Sequence, residues 1–219
     1  MLNYERPIVL VGGGWIDWDL LTALVQQGYV LIAADGAANP LLTRDFVPDA
    51  IIGDMDSIEK SGGFPTSVKL FEVTEQDTTD FEKCLYSTNA PHYVGLGFLG
   101  ARLDHSLAAI STLAKYAAEK SVVIVDEVDL LFVTQGDFQI TLPISERISI
   151  FPLSDCKFRS SEGLLYPLDG LNLRIGGLVG TSNQTVAESI TVQSDHRQDS
   201  YAVLFSKSYM SNLIAEFGP

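Results

Sequence analysis

The sequence predicts an α/β chain in two parts, a doubly wound, mostly parallel sheet followed by an antiparallel β-sandwich. Three observations predict it. Up to about residue 125, short runs of Val, Ile and Leu alternate with stretches of helical period, the pattern of strand–helix–strand units. From Leu130 onward no helical period recurs until the last residues, and short strand-like runs are separated by turns rich in Gly, Pro, Ser and Asp. Aspartates repeatedly follow the apolar runs of the first part, just past the carboxyl ends of strands, where open α/β sheets bind ligands.

The first part reads in order as follows. Pro7–Val11 is a buried parallel strand that runs into Gly12-Gly13-Gly14, where the backbone is free to approach a neighbour closely. Asp17 caps a helix to about Gly28, with Leu20, Leu21, Leu24 and Val25 as its apolar face. The strand Val30–Ala34 delivers Asp35, and Gly36–Asn39 turns into a short helix carrying Leu41 and Leu42. Ile51-Ile52-Gly53 is a strand end opening into Asp54-Met55-Asp56-Ser57. Ser61–Pro65 is a loop and Val68–Val73 a strand, with Lys69 on a solvated edge. Thr74–Lys83 passes from loop into helix, with Asp77 or Thr78 as the cap. His92–Gly97 is a strand, Leu103 to about Glu119 an amphipathic helix with Leu107, Ile110, Leu113, Ala114 and Ala117 inside, and Val122–Val125 the next strand.

The second part reads as the strands Leu130–Val133, Phe138–Leu142, Ile148–Phe151, Leu171–Ile175, Ser189–Val192 and Tyr201–Phe205. Gly180–Gln184 reads as a polar turn between strands. The boundary falls near residues 126 to 137, dividing the chain into 1–130 and 131–219.

Composition narrows the function. The chain has 219 residues, 46% of them hydrophobic, enough for a sizeable core. Lys and Arg number 14 against 28 Asp and Glu, and the net charge of −14 argues against nucleic acid or an anionic membrane as partner. A nucleotide remains open, because its phosphates arrive with a metal. Cys84 and Cys156 lie far apart without redox or metal spacing, which fits a reduced, cytoplasmic protein, and the start lacks a signal-peptide pattern.

Asp54 and Asp56 are turn residues or a cation site. Two carboxylates so close repel unless a cation lies between them, and Mg²⁺ fits because it takes one or two carboxylates along with substrate phosphates. Asp35, Asp77, Asp80 and Asp104 also follow apolar runs, and the repetition favours one shared pocket. Arg102 is either a phosphate clamp or the partner of Asp104 at a helix start. His105 is an acid or base, or simply solvated; Thr78 and Thr79 bind phosphate or cap. Lys83 pairs with Asp80 along the helix. Trp18 packs over the sheet, and Trp15 stacks on a ring or packs. Gly12–Gly14 lacks the Lys and Ser/Thr of a P-loop, whereas Gly95-Leu96-Gly97-Phe98-Leu99-Gly100 matches a dinucleotide fingerprint.

Ala34–Asn39, Gly53–Ser57, Gln76–Phe81 and Gly100–His105, with Ser160–Leu168 and Gly180–Asn183 in the second part, together resemble the thiamine pyrophosphokinase family, in that family's order. The resemblance covers nearly the whole chain. It implies a Rossmann-like catalytic domain over 1–130 that binds nucleotide and metal, then a β-sandwich over 131–219 for thiamine binding and dimerisation. It implies transfer of the pyrophosphoryl group of ATP to the hydroxyl of thiamine, with Mg²⁺ and release of AMP, by a homodimer with composite active sites. Carried onto this sequence, Asp35, Asp54, Asp56 and Asp80 hold Mg²⁺ and the phosphates, and Gln76, Asp77 and Thr79 line the same pocket. Arg102 and Asp104 help bind nucleotide, and Ser182 and Asn183 lie near thiamine. Asp80 or Asp77 takes the hydroxyl proton. Ala101 departs from the family's usual second glycine. Two other readings stand beside this one: an NAD(P)-dependent oxidoreductase using Gly95–Gly100, and a non-catalytic protein whose acidic loops bind Ca²⁺ or a partner.

Overall fold

The structure, a computed structural model, describes residues 1–57 and 65–217. The loop expected over Ser61–Pro65 lies, up to Phe64, outside those residues. The chain divides into two compact units, Met1–Thr112 with Lys120–Glu127, and Leu113–Glu119 with Val128–Pro219.

The first unit begins with β1 (Leu2–Asn3), β2 (Ile8–Val11), α1 (Trp18–Gln26), β3 (Val30–Ala34), α2 (Ala38–Thr43), β4 (Ala50–Gly53) and β5 (Lys69–Glu72). It continues with α3 (Asp80–Ser87), β6 (Thr88–Asn89), β7 (Tyr93–Leu96), most of α4 (Leu103–Tyr116) and β8 (Val122–Val125). Its main sheet is parallel throughout, in the order β8-β7-β2-β3-β4-β5. Every residue of β2, β3, β4, β7 and β8 is buried, and strands covered on both faces read as unbroken apolar runs. β5 ends this order, with Lys69 exposed as its place on an edge requires. From β2 the chain moves outward through β3, β4 and β5, then returns to the other side of β2 for β7 and β8. That reversal makes the gap between the ends of β2 and β7 the switch point at which such sheets bind ligands.

Local chemistry explains the helix ends. Asp17 caps α1 by accepting the Leu20 N–H at 3.0 Å, as expected. Thr79, not Asp77 or Thr78, caps α3, accepting the Glu82 N–H at 3.3 Å. The N–H groups of Asp77 and Thr78 are already held by the Glu75 carboxylate, so the helix begins after them. α4 stops at Tyr116, short of the expected Glu119, and turns Leu107 outward at 60% exposure. Its buried residues are Ala109, Thr112 and Leu113, and at about 100° per residue Leu107 falls on the opposite side.

The second unit contains β9 (Asp129–Gln135), β10 (Phe138–Thr141), β11 (Arg147–Pro152), β12 (Cys156–Glu162), β13 (Asn172–Leu173), β14 (Gly180–Gln184), β15 (Ser189–Ser194), β16 (Ser200–Ser206) and α5 (Met210–Phe217). The strands β14-β11-β16-β9 run antiparallel, as do β10-β15-β12-β13. Rings on the two sets meet edge to face where Phe158 of β12 packs on Tyr201 of β16 at 5.4 Å. The buried Tyr201 hydroxyl donates to the Gly136 carbonyl at 2.7 Å. This is the expected β-sandwich, with two corrections. β12 was not anticipated, although Cys156 and Phe158 point in while Lys157 and Arg159 point out. Gly180–Gln184 is a strand rather than a turn, paired with β11 although it carries no large apolar residue.

Candidate active site

The ends of β3 and β4 build an acid cluster. Asp35 follows β3 in a 3₁₀ turn at φ +41°, and it is buried. Gly53 closes β4 against it, and a Cβ on Gly53 would lie 2.5 Å from the Asp35 Cβ. Only glycine lets the two strand ends pass so closely. Asp35 Oδ1 accepts the Met55 N–H at 3.0 Å, with Met55 itself at φ +64°. The turn brings one carboxylate oxygen each from Asp35, Asp54 and Asp56 within 4.8 Å of one another. The set is all oxygen, negatively charged and graded from buried Asp35 to exposed Asp56. Such a set suits a hard divalent cation, and Mg²⁺ fits it.

The approach to α3 adds the second wall. Gln76 Nε2 donates to Asp54 Oδ2 at 2.7 Å, and with the Asp56 N–H it holds the Asp54 carboxyl below its ordinary value. Asp80 is half-buried, and burial pushes its pKa up while the Lys83 ammonium opposes the rise. Lys83 is buried, with Nζ 3.3 Å from Asp80 Oδ1 and 3.9 Å from Asp54 Oδ2. The intrahelical pair with Asp80 is present as expected, but Lys83 also reaches across to Asp54. Sequence reading missed that second role. The signal was its place among Phe81, Cys84 and Leu85, the buried residues of α3.

Two glycine loops form the third wall at the switch point. Gly97 has φ +78°, and a Cβ there would lie 2.6 Å from the Gly12 carbonyl oxygen. The Gly14 N–H donates to the Gly97 carbonyl at 2.8 Å, so the loops after β2 and β7 meet backbone to backbone. The cavity they enclose measures about 380 Å³, and Asp54, Gln76, Thr79, Asp80, Lys83 and Arg102 line it. Asp35 and Asp56 are not among its lining residues, but each offers a carboxylate oxygen within 4.8 Å of one from Asp54, which is. Asp77 and Asp104 are exposed and do not line this cavity. Arg102 and Asp104 form the two-pronged ion pair anticipated as one alternative, with Nη2–Oδ2 at 2.6 Å and Nε–Oδ1 at 3.1 Å. Arg102 is raised and Asp104 lowered, each chiefly by that hydrogen bond. Trp18 packs on Phe46 with the Arg44 guanidinium over its ring, the packing role expected of it.

Ser182 and Asn183 lie on β14, in the second unit. Ser182 is exposed at φ +57°, where the β11 register shifts between Ile148 and Ile150. The Asn183 side chain is buried and committed to the backbone. It accepts from the Tyr166 N–H at 3.0 Å and donates to the Tyr166 carbonyl at 2.7 Å.

An α/β sheet with acids at two adjacent strand ends, a buried lysine and glycine loops at its switch point has the chemistry that suits a phosphorylated ligand and a divalent cation. The chain belongs to the thiamin pyrophosphokinase family. The family profile "Thiamin pyrophosphokinase, catalytic domain" matches residues 21–125, and "Thiamin pyrophosphokinase, vitamin B1 binding domain" matches residues 138–197. Thiamin pyrophosphokinase 1 of Caenorhabditis elegans is 31% identical over 181 residues, which span 74% of each chain. Thiamine pyrophosphokinase 1 of Arabidopsis thaliana is 29% identical over 206 residues, 78% of this chain and 77% of the relative. The crystal structure of thiamin pyrophosphokinase from Geobacillus thermodenitrificans superposes with a TM-score of 0.77 at 25% identity, covering 92% of this chain and 98% of that one. Family membership replaces the dinucleotide reading of Gly95–Gly100, whose Gly97 serves a loop-to-loop contact, and the reading as a non-catalytic acidic protein.

Proposed function

We infer that this chain transfers the pyrophosphoryl group of ATP to the hydroxyl of thiamine, giving thiamine diphosphate and AMP. The observation that carries this reading is the convergence of Asp35, Asp54 and Asp56 beside the Asp80–Lys83 pair, inside the stretch matched by the catalytic profile. In the reaction the thiamine hydroxyl oxygen bonds to the β-phosphorus of ATP. The bond from that phosphorus to the oxygen retained by AMP breaks, and the hydroxyl proton passes to a carboxylate. Asp80 is the acceptor that fits best, because burial raises its affinity for a proton. Asp77, the other candidate, is exposed. Lys83 lies where it balances charge among Asp54, Asp80 and the phosphates. Arg102 contributes a planar cation at the cavity wall for phosphate oxygens. Asp35, Asp54 and Asp56, whose carboxylate oxygens lie within 4.8 Å of one another, would hold Mg²⁺, which would supply charge neutralisation for the phosphates, while Asp80 lies outside that cluster and is kept for the proton. The rest of the task is positioning, as is usual for phosphoryl transfer.

In the same proposal residues 1–130 are the catalytic domain, and residues 131–219 bind thiamine and pair two chains into a homodimer. Ser182, exposed on a bulged strand, serves the partner's catalytic pocket, and Asn183 shapes the segment that carries it. Cytoplasmic residence accords with two free, buried cysteines. Among the described residues no helix is long and apolar enough to cross a membrane.

The test incubates the protein with ATP, thiamine and Mg²⁺ and separates the products by chromatography. One AMP per thiamine diphosphate is expected. ADP in place of AMP, or no thiamine-dependent nucleotide turnover, would overturn the reading.

A further inference from the structure

The Glu75 carboxylate gathers the approach to α3 into one knot. Its Oε2 accepts the Asp77 N–H at 2.7 Å and the Thr78 N–H at 3.1 Å. Its Oε1 accepts the Thr78 hydroxyl and, at 2.8 Å, the Tyr86 hydroxyl. Tyr86 lies in the last turn of α3, so the knot ties the loop to the body of the helix. Glu75 does not line the cavity, but Gln76, Thr78, Thr79 and Asp80, which follow it directly, do. Gln76 leaves the loop to hold Asp54 at 2.7 Å, and Thr79 caps the helix that carries Asp80 and Lys83. Free of the knot, these residues would have to be ordered anew for every substrate, at an entropic cost to binding and to the barrier.

We propose that Glu75, with Tyr86, is a positioning residue that sets the Gln76–Asp54 contact and thereby the orientation of Asp54 toward cation and phosphate. This rests on the pyrophosphokinase reading above. The chemistry distinguishes shape from charge. In Glu75→Gln the amide oxygen can take both backbone N–H groups, while its NH₂ donates to the Thr78 and Tyr86 hydroxyls, which turn to accept. All four contacts survive without the charge. Glu75→Ala loses all four, and Tyr86→Phe loses only the tie to the helix.

Two readouts test it. Amide hydrogen exchange on metal-free protein should show the Asp77 and Thr78 N–H groups protected in wild type and Glu75→Gln, and unprotected in Glu75→Ala. In AMP release, Glu75→Ala should raise the Mg²⁺ concentration for half-maximal rate about tenfold and lower kcat comparably, the scale seen when outer-shell partners of metal ligands are lost. Glu75→Gln should restore both, and the KM for thiamine should hold steady in all variants. If Glu75→Ala fails to fold, Tyr86→Phe must show the same trends in smaller size. Unchanged amide protection and Mg²⁺ dependence in Glu75→Ala or, in its place, Tyr86→Phe would overturn the proposal. So would a Glu75→Gln as impaired as Glu75→Ala. A wild type without AMP release would overturn the functional reading alone, because the exchange experiment would still report on the knot.

Discussion

Asp35 Oδ1 accepts the backbone N–H of Met55 at 3.0 Å, joining the two adjacent strand ends through residues that both sit at positive φ. Left-handed backbone at a non-glycine residue costs about 1–3 kcal/mol and persists where the surroundings demand it. Here it converts an ordinary β4-to-loop exit into a turn that faces Asp54 and Asp56 toward Asp35. The strain lies where the acids must converge.

Neutralising those acids should harm turnover more than folding. Asp54→Asn or Asp56→Asn should lower AMP release on the order of 100-fold, the scale of losing one electrostatic stabiliser. Melting should hold or rise in the metal-free protein, because like-charge repulsion within the cluster is relieved. Mg²⁺ titration of the rate beside a melting curve measures both. Near wild-type turnover in either variant would refute the assignment.

Lys83→Met should uncouple Asp80 from its counter-charge. The Lys83 ammonium opposes the upward push of burial on Asp80, so its removal lets that pKa climb further. If Asp80 is the proton acceptor, the acidic limb of the pH–rate profile should move to higher pH, and kcat should fall by about 100-fold. A profile that keeps its acidic limb in place would exclude Asp80 from that role.

Acid stability should report on Glu75. Its pKa is held at about 2, from 4.5, first by the Thr78 hydroxyl and then by Tyr86. A depressed acid contributes stability that is complete above its unfolded value and is lost as pH falls through the folded one. Part of the fall in melting temperature between about pH 4.5 and pH 2 should therefore vanish in Glu75→Gln. Asp80, raised by burial, contributes with the opposite sign and loses stability as pH rises through its folded value. Identical acid limbs in wild type and variant would show that Glu75 does not contribute.

Gly97→Ala should cost well over ~1 kcal/mol, because it combines positive φ with a methyl 2.6 Å from the Gly12 oxygen. Gly13→Ala meets nothing within 4 Å and should leave stability near wild type. Urea midpoints of the pair give the contrast. Equal midpoints would mean that the loop contact contributes nothing to stability.

Subunit exchange tests the composite site. Asp54→Asn protein mixed with Ser182→Ala/Asn183→Ala protein should regain roughly a quarter of wild-type activity, since half of randomly exchanged dimers are mixed and each has one intact site. Asn183→Ala alone should cost ~1–3 kcal/mol, since its buried carboxamide satisfies the Tyr166 backbone. Mass spectrometry that confirms mixed dimers without recovered activity would place thiamine within one chain.

The sequence alone determined the layered order of this protein. Unbroken apolar runs rich in β-branched residues, such as Ile8–Val11 and Val122–Val125, each bounded by turn residues, fit strands covered on both faces, and both are fully buried strands. Acids and glycines placed directly after such runs must emerge at the carboxyl ends of a parallel sheet, so Asp35, Asp54 and Asp56 were legible before any coordinates. Cys156–Glu162 is absent from the strands expected of the sequence: Cys156, Lys157, Phe158 and Arg159 do alternate in and out, but so short an apolar run does not stand out. The tertiary structure alone decided the rest. β14 has almost no apolar signal and exists because β11 offers a backbone edge to pair with. Leu107 is exposed because the packed face of α4 runs through Ala109, Thr112 and Leu113. Lys83 belongs to the pocket because folding carries α3 past the end of β4, setting an ammonium beside an aspartate 29 positions away in the chain. Local sequence governs backbone propensity and the chain-order placement of polar groups. Contacts between distant residues depend on which strand edges and helix faces remain free after packing, and short-range pattern does not encode that.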